Sequence, residues 1–148
     1  RVSSEFPEAL GSQMLQTVDY EYAIYPHKGN WVEGKAFAEA DKINNKVAPT
    51  QISNNKGGTL PISVSHYAID NDAVVLTAFK KAEDRESLIL RLHNPTSETQ
   101  EVNLSCGLPF SEAWSVNLKE IREDSLEFTD GSLKLSVGKS KIVTIELQ

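Results

Sequence analysis

SLEFTDGSLKLSV, residues 125–137, carries the clearest local signal in this sequence. Ser125 to Thr129 and Ser132 to Val137 both alternate polar and apolar residues, and they flank Asp130-Gly131, the pair that a two-residue type I′ hairpin prefers. A short turn then leads into Lys141 to Leu147, which has a similar period. We therefore predict three consecutive antiparallel strands in this region.

Upstream of this hairpin, a period of two residues recurs in short stretches that turn residues separate. It predicts strands at Ile62 to Ile69, Ala73 to Phe79, Ser87 to His93, Gln100 to Leu104 and Ala113 to Leu118. Asp70-Asn71-Asp72 favours a tight turn between the first two strands. Asn94-Pro95-Thr96 ends the third, because proline cannot donate to a strand ladder.

The first strand signal lies at Val18 to Tyr25, where large apolar residues occupy every second position. This alternation predicts a strand with one buried face, formed by Val18, Tyr20, Tyr22 and Ile24. Residues 1–17 have no sustained period, and we predict an irregular N-terminal arm there, with partners outside this sequence.

One amphipathic helix is predicted after this strand. Pro26 ends the strand, and Asn30 followed by Glu33 resembles a capping box. Apolar residues then recur at helical spacing from Trp31 to about Asn44, and this pattern places Val32, Phe37 and Ile43 on the inward side. Residues 44–61 are rich in Asn, Gly and Pro, and predict a long loop.

Together these elements predict an all-β fold, an antiparallel β-sandwich with one short helix near the N-terminus. We assign residues 18–148 to this single sandwich domain. The 148 residues carry a formal net charge of −6 without runs of like charge, so neither a nucleic-acid nor an anionic-membrane partner is expected. The lone Cys106 is compatible with a reducing cytosol, where we place the protein.

The residue patterns offer little for catalysis. His27, His66 and His93 do not share a metal-ligand spacing, and Ser residues lack a Gly-x-Ser-x-Gly elbow. Local groups of carboxylates could in principle serve a glycosidase, but no aromatic platform lies near them, so we predict solvated surface charge. These groups are Asp70 with Asp72, Glu83 with Asp84, and Glu120 with Glu123 and Asp124.

Lys80, Glu83, Arg91 and Asn94 lie at the ends of two apolar strands that should pair across the connection between them. Such pairing would bring Lys80 or Arg91 near Glu83, as an ion pair or a carboxylate–guanidinium fork. Either a structural clasp or sugar recognition could use this arrangement, with the clasp as the simpler interpretation.

Several segments, in order and spacing, resemble the C-terminal β-region of glycoside hydrolase family 38 α-mannosidases of the bacterial type. The resemblance covers nearly the whole chain, and its most specific parts are the Tyr25-Pro26-His27 stretch and the Lys80 to Asn94 region. The matching segments are Arg1-Val2-Ser3 with Pro7 and Gly11, Tyr20 to Trp31, Ala36 to Asn45, Leu76 to Asp84, Leu90 to Asn94, Ala113 to Glu120 and Val137 to Ile145.

The resemblance implies a parent enzyme that hydrolyses α-mannosides with retention, through a covalent intermediate. It further implies that the zinc ion, the nucleophilic Asp and the acid/base carboxylate lie in an upstream catalytic domain. We therefore expect no catalytic or metal-binding residue in this sequence. One residue, Arg1, resembles an arginine near the substrate cleft of the complete enzyme, although a disordered terminal residue is the simpler interpretation.

We thus expect a non-catalytic accessory domain, a C-terminal fragment that packs against the upstream catalytic domain and meets the mannoside only through the parent enzyme. An independent carbohydrate-binding module is the alternative, and a domain that mediates oligomer contacts is a third. Trp31 or Trp114 stacked at the surface in a shallow groove would favour the binding module. An exposed apolar patch beside residues 1–17 would favour the accessory domain.

Overall fold

The computed structural model describes residues 16–53, 57–59 and 61–148. Nearly all of the predicted N-terminal arm, residues 1–17, lies outside this part of the chain. The described residues form one helix, α1 (Ala36–Asn44), and nine strands. The strands are β1 (Tyr67–Ile69), β2 (Val75–Lys81), β3 (Leu88–His93), β4 (Gln100–Cys106), β5 (Ala113–Val116), β6 (Arg122–Ser125), β7 (Phe128–Thr129), β8 (Ser132–Val137) and β9 (Ile142–Leu147).

The nine strands form two antiparallel sheets, as the predicted β-sandwich requires. A four-stranded sheet has the order β1-β4-β8-β7, and a five-stranded sheet has the order β2-β3-β9-β5-β6. Alternate residues of the strands point into the space between the sheets, where apolar side chains exclude water. The fully buried members of this core are Leu90, Leu92, Leu104, Leu133, Val137 and Ile145.

The β7–β8 hairpin confirms the type I′ prediction. Thr129 pairs with Ser132, so Asp130 and Gly131 form a two-residue loop. Both loop residues have positive φ, 49° at Asp130 and 71° at Gly131, as a type I′ turn demands. A Cβ added at Gly131 would lie 2.8 Å from the Cys106 carbonyl oxygen, so a side chain has no room there.

The prediction of three consecutive antiparallel strands is wrong at its last step, because β9 does not pair with β8. Residues 138–141 carry the chain into the other sheet, where β9 lies between β3 and β5. The Asn94 side chain holds this crossing, because its amide donates to the carbonyls of Val137 (2.9 Å) and Gly138 (3.0 Å). Likewise, β1 and β2 flank the turn at residues 70–72 but belong to different sheets.

The predicted strand at Val18 to Tyr25 is also wrong for this structure. Residues 16–27 have no regular secondary structure, and they are exposed. The strand predicted at Ile62 to Ile69 is shorter in the structure, where only Tyr67–Ile69 forms a strand. The residues before it are exposed. An alternating sequence forms a strand only where a neighbouring strand accepts its backbone hydrogen bonds.

The predicted capping box is present, although the α-helix begins later than expected. The Asn30 side chain accepts hydrogen bonds from the Val32 and Glu33 amides, and the Asn30 amide donates to Glu33 (2.9 Å). The box initiates a run of turns, but Lys35 has a φ of 51°, so α1 begins at Ala36. Among the residues predicted to face inward, Val32 and Phe37 are half-buried, whereas Ile43 is exposed.

Candidate functional site

The end of β2 carries the charged cluster that the sequence predicts. Lys80 and Glu83 form an ion pair, and the Lys80 ammonium also lies 2.9 Å from the Glu120 carboxylate. The hydrogen bond to Glu83, followed by that to Glu120, raises the pKa of Lys80. Arg91 takes no part in this cluster, because its guanidinium donates to the Thr144 hydroxyl (3.1 Å) instead.

The prediction that all of these carboxylates are solvated surface charge is wrong for Glu120. Glu120 is buried, and its backbone lies in the left-handed region, with a φ of 62°. The Glu83 amide donates to its carboxylate at 2.8 Å; this hydrogen bond, followed by that from Lys80, lowers the pKa of Glu120. The other six carboxylates in the predicted groups are exposed: Asp70, Asp72, Glu83, Asp84, Glu123 and Asp124.

The sequence patterns did not predict the fully buried carboxylate of Glu146. Glu146 of β9 is 0% exposed, and it accepts hydrogen bonds from Arg85, Arg122 and Ser87. Arg85 Nη2 lies 2.8 Å from one Glu146 oxygen, and Arg122 Nη2 lies 2.7 Å from the other. Burial alone would raise the pKa of Glu146, but these donors, Arg122 foremost, outweigh burial and lower it to about 2.

We call the group of Glu146, Arg85, Arg122 and Ser87 the Glu146 clasp, because its chemistry suits a structural role. A general acid must give up a proton near the working pH, whereas the two guanidinium groups keep Glu146 ionised. A nucleophile needs a free oxygen lone pair in a cleft, whereas five hydrogen bonds occupy this buried carboxylate. The cluster therefore fixes the connection after β2 and the strand β6 onto β9.

The two tryptophans have different surroundings. Trp114 is half-buried and packs against the small apolar cluster of Ala82, Ile89 and Val116. The Arg122 guanidinium lies over its ring, 5.0 Å from the centroid. One face of the Trp114 indole is therefore covered by Arg122 of the Glu146 clasp. Trp31 is 52% exposed and meets Phe37 edge-on at 6.2 Å.

Trp31 borders an open groove of about 420 Å³. Helix and sandwich both contribute to it, and its other lining residues are Phe37, Ala40, Asp41, Asn44, Val75, His93 and Pro95. Sequence patterns could not place this groove, because its lining residues come from distant parts of the chain. An exposed indole beside a groove is the type of surface on which a sugar ring can stack.

A second cavity, of about 310 Å³, opens at one end of the sandwich. Its lining includes Tyr67, Cys106, Phe110 and Leu147, and Glu86 carries the one side-chain carboxylate among its lining residues. Glycoside hydrolysis by the usual two-carboxylate mechanism needs a pair of acidic groups across the cleft. This cavity does not supply that pair.

Residues 18–24, upstream of the turns that lead into α1, carry several exposed apolar side chains. Tyr20, Tyr22 and Ile24 are 83%, 89% and 87% exposed, and Val18 is exposed as well. These are the side chains that the sequence assigns to a buried strand face. They adjoin residues 1–17 in the chain, where an exposed apolar patch was expected for an accessory domain.

Other predicted features concern metals, membranes and Arg1. Within the described ranges, no three His, Cys, Asp or Glu side chains are grouped so that they could hold a metal ion. The same part of the chain contains no helix that is long and apolar enough to cross a membrane. Arg1, the proposed substrate contact, lies outside the described residues.

Comparison with known proteins adds an independent observation. Residues 73–145 match the model of the "Glycosyl hydrolases family 38 C-terminal beta sandwich domain". Alpha-mannosidase 2C1 of Mus musculus is 28% identical over 134 residues, and alpha-mannosidase G of Dictyostelium discoideum is 23% identical over 113 residues. The "Putative mannosylglycerate hydrolase" of Halalkalibacterium halodurans is 30% identical over 95 residues.

These alignments cover 87%, 74% and 64% of this chain, in the same order, but only 13%, 10% and 10% of the respective relatives. The chain thus spans about a tenth of the length of the curated relatives that it matches. The matched segment runs from the residues before β2 into β9, and contains four strands of the five-stranded sheet together with the first part of β9. Residues 73–145 are therefore identified, by the family model that they match, as a glycosyl hydrolases family 38 C-terminal beta sandwich domain.

Proposed function

We propose that this chain is a non-catalytic β-sandwich domain of a larger α-mannosidase, in which it packs against and supports an upstream catalytic domain. The observation that carries the proposal is the family match at residues 73–145. The exposed apolar side chains before the sandwich support it further, because water is an unfavourable environment for them.

The buried carboxylates support a non-catalytic role for this domain. Glu146 and Glu120 both have lowered pKa values, and cations or amides occupy their oxygens. Both groups therefore act in folding. The parent enzyme would hydrolyse an α-mannosidic bond with retained configuration, and its zinc ion would be held by the upstream domain.

Two finer points concern the parent. We propose a bacterial-type enzyme, since the bacterial relative has the highest identity of the three, 30%. We also propose a cytoplasmic location, which the single cysteine supports, because a stable fold without disulfides suits a reducing compartment.

The test is an assay of the 148-residue chain and of the complete enzyme on an aryl α-mannoside, with and without a zinc chelator. Turnover is expected only from the complete enzyme, and chelation should abolish it. Chelator-sensitive turnover by the 148-residue chain would contradict the proposal.

The groove beside Trp31 supports a second candidate, an independent carbohydrate-binding module. For this function, the 148-residue chain should bind α-mannan, and Trp31→Ala should abolish binding while Trp114→Ala, which alters the covered indole, should not. The accessory-domain proposal instead expects no retention of the chain on α-mannan. Affinity electrophoresis in gels that contain the polysaccharide distinguishes the two.

A further inference from the structure

The segment from Val18 to Ile24 combines a strand-forming pattern with an unpaired backbone. Its apolar residues occupy every second position, and Asp19, Glu21 and Ala23 lie between them. None of the backbone amides or carbonyls of this segment hydrogen-bonds to another described residue. A segment with this pattern is suited to pairing with a sheet edge that lies elsewhere.

The two sides of the segment differ in what they contact. On the acidic side, the Glu21 carboxylate accepts a hydrogen bond from the Lys46 ammonium at 2.6 Å, so this side faces the chain's own loop. On the other side, Tyr20, Tyr22 and Ile24 are each more than four-fifths exposed. The apolar side is therefore the one left for a partner.

The end of the segment is well defined. Pro26 follows Tyr25, and proline disfavours helical backbone in the residue before it. The capping box at Asn30 and Glu33 then starts the turns that lead into α1. A strand in this position would end where the chain is already built to change direction.

We infer that residues 18–24 pair as a β-strand with a sheet edge of the preceding polypeptide in the complete enzyme, with Tyr20, Tyr22 and Ile24 packed on that domain. This inference rests on the proposed function and gives it a contact surface. Two observations support this occupant: the chain covers only 10% and 13% of two relatives, and the matched model describes a C-terminal domain, with residues 18–24 on its N-terminal side.

Hydrogen–deuterium exchange of both proteins tests the pairing. In the complete enzyme, about half of the amides in residues 18–24 should exchange at least ~100-fold more slowly than in the 148-residue chain, because an edge strand bonds through alternate amides. The core strands β3 and β9 should be protected in both proteins, and so report that the sandwich is folded. Fast exchange of the segment in the complete enzyme would overturn the inference.

Protection of residues 18–24 in the isolated 148-residue chain would also overturn the inference. Protection that rises with concentration would indicate pairing with a second copy, and concentration-independent protection would indicate pairing with the chain's own sandwich. An active complete enzyme with a fast-exchanging segment would refute this inference while leaving the proposed function intact. Turnover by the 148-residue chain would instead refute the proposed function.

A matched pair of variants tests which side of the strand is packed. Tyr22→Asp in the complete enzyme should restore fast exchange in residues 18–24, because it places a charge in the proposed apolar contact. Ala23→Asp introduces the same residue on the opposite side, and should leave the protection unchanged. Should Tyr22→Asp prevent folding, the milder Tyr22→Thr should still increase exchange of this segment. Equal effects of the two Asp variants would contradict the assigned face.

Discussion

Residues 18–24 and strand β8 have similar sequence patterns but opposite surroundings. In β8, Leu133, Leu135 and Val137 alternate with polar residues, and all three are buried between the sheets. In residues 18–24, Tyr20 and Tyr22 alternate in the same way and are more than 80% exposed. The difference lies in the neighbours, because β8 pairs with β4 and β7, whereas the upstream segment has no paired strand among the described residues.

The comparison shows what an alternating pattern encodes. It specifies which side chains of a strand share a face, but it does not specify which element covers that face. In the sandwich the partner is part of the same chain. For residues 18–24 we propose that the partner is the rest of the parent enzyme.

The largest effect in this comparison is expected from the core of β8. Leu133→Ala removes a side chain that is fully buried, and should lower the free energy of unfolding by about 2–5 kcal/mol, because it leaves a cavity. Urea denaturation of the 148-residue chain measures this change. Leu118→Ala, at an exposed leucine, is the control and should stay within about 0.5 kcal/mol. Similar losses from both would contradict the assigned core.

The Glu146 clasp predicts a pH dependence of stability. The pKa of Glu146 is about 2 when folded and about 4.3 when unfolded, so its ionised form favours the folded state. This contribution, roughly 3 kcal/mol, should be complete above about pH 5 and should be lost as the pH falls towards 2. Thermal unfolding between pH 2 and pH 7 measures it.

Glu146→Gln provides the comparison for this pH dependence. The variant has no carboxylate at this position, so its stability should change less steeply over the acidic range than that of the unmodified chain. Glu123→Gln, at an exposed carboxylate, should leave the slope unchanged. An identical slope for Glu146→Gln would show that the buried carboxylate does not control the acid sensitivity.

A smaller effect is expected at the hairpin that joins β7 to β8. Gly131→Ala should lower the free energy of unfolding by about 1–2 kcal/mol, because the residue has positive φ and its Cβ would meet the Cys106 carbonyl. Gly138→Ala is the matched control, since its Cβ would meet only the flexible side chain of Lys141. Chemical denaturation that ranks Gly138→Ala as the more damaging change would contradict the assigned turn geometry.

The smallest effect is expected in the upstream segment. Tyr22→Ala should change the free energy of unfolding of the 148-residue chain by less than about 0.5 kcal/mol, because the side chain is 89% exposed. The same substitution in the complete enzyme should be destabilising, since the proposed partner covers this face. Differential scanning calorimetry of both proteins makes the measurement, and a large loss in the short chain would place the partner within it.

Local patterns predicted much of the fold. The Asp130-Gly131 hairpin, the pairing of β2 with β3 and the capping box at Asn30 each depend on residues that are close in sequence. The crossing after β8 could not be predicted in this way. A turn such as residues 138–141 can lead back into the same sheet or across to the other, and only the packing of the whole sandwich selects between them.

The two charged clusters also differ in whether neighbouring residues in the sequence could predict them. The ion pair of Lys80 with Glu83 lies at the connection between β2 and β3, and the expected pairing of these two neighbouring strands predicted that Lys80 or Arg91 would lie near Glu83. Glu146 bonds to Arg85 and Arg122, which are 61 and 24 residues away, so no local motif connects them. Its alternating position in β9 suggests a solvent-facing side chain, and it is buried only because the two arginines and Trp114 cover that face.

The position of β9 affects how the domain is made. Residues 142–147 lie at the centre of the five-stranded sheet, although they follow every other strand in the sequence. A nascent chain that emerges from the ribosome therefore cannot complete this sheet until β9 has been synthesised, and until then β3 and β5 lack their common neighbour. Translation that stops shortly before residue 142 should yield an aggregation-prone product that cellular proteases remove.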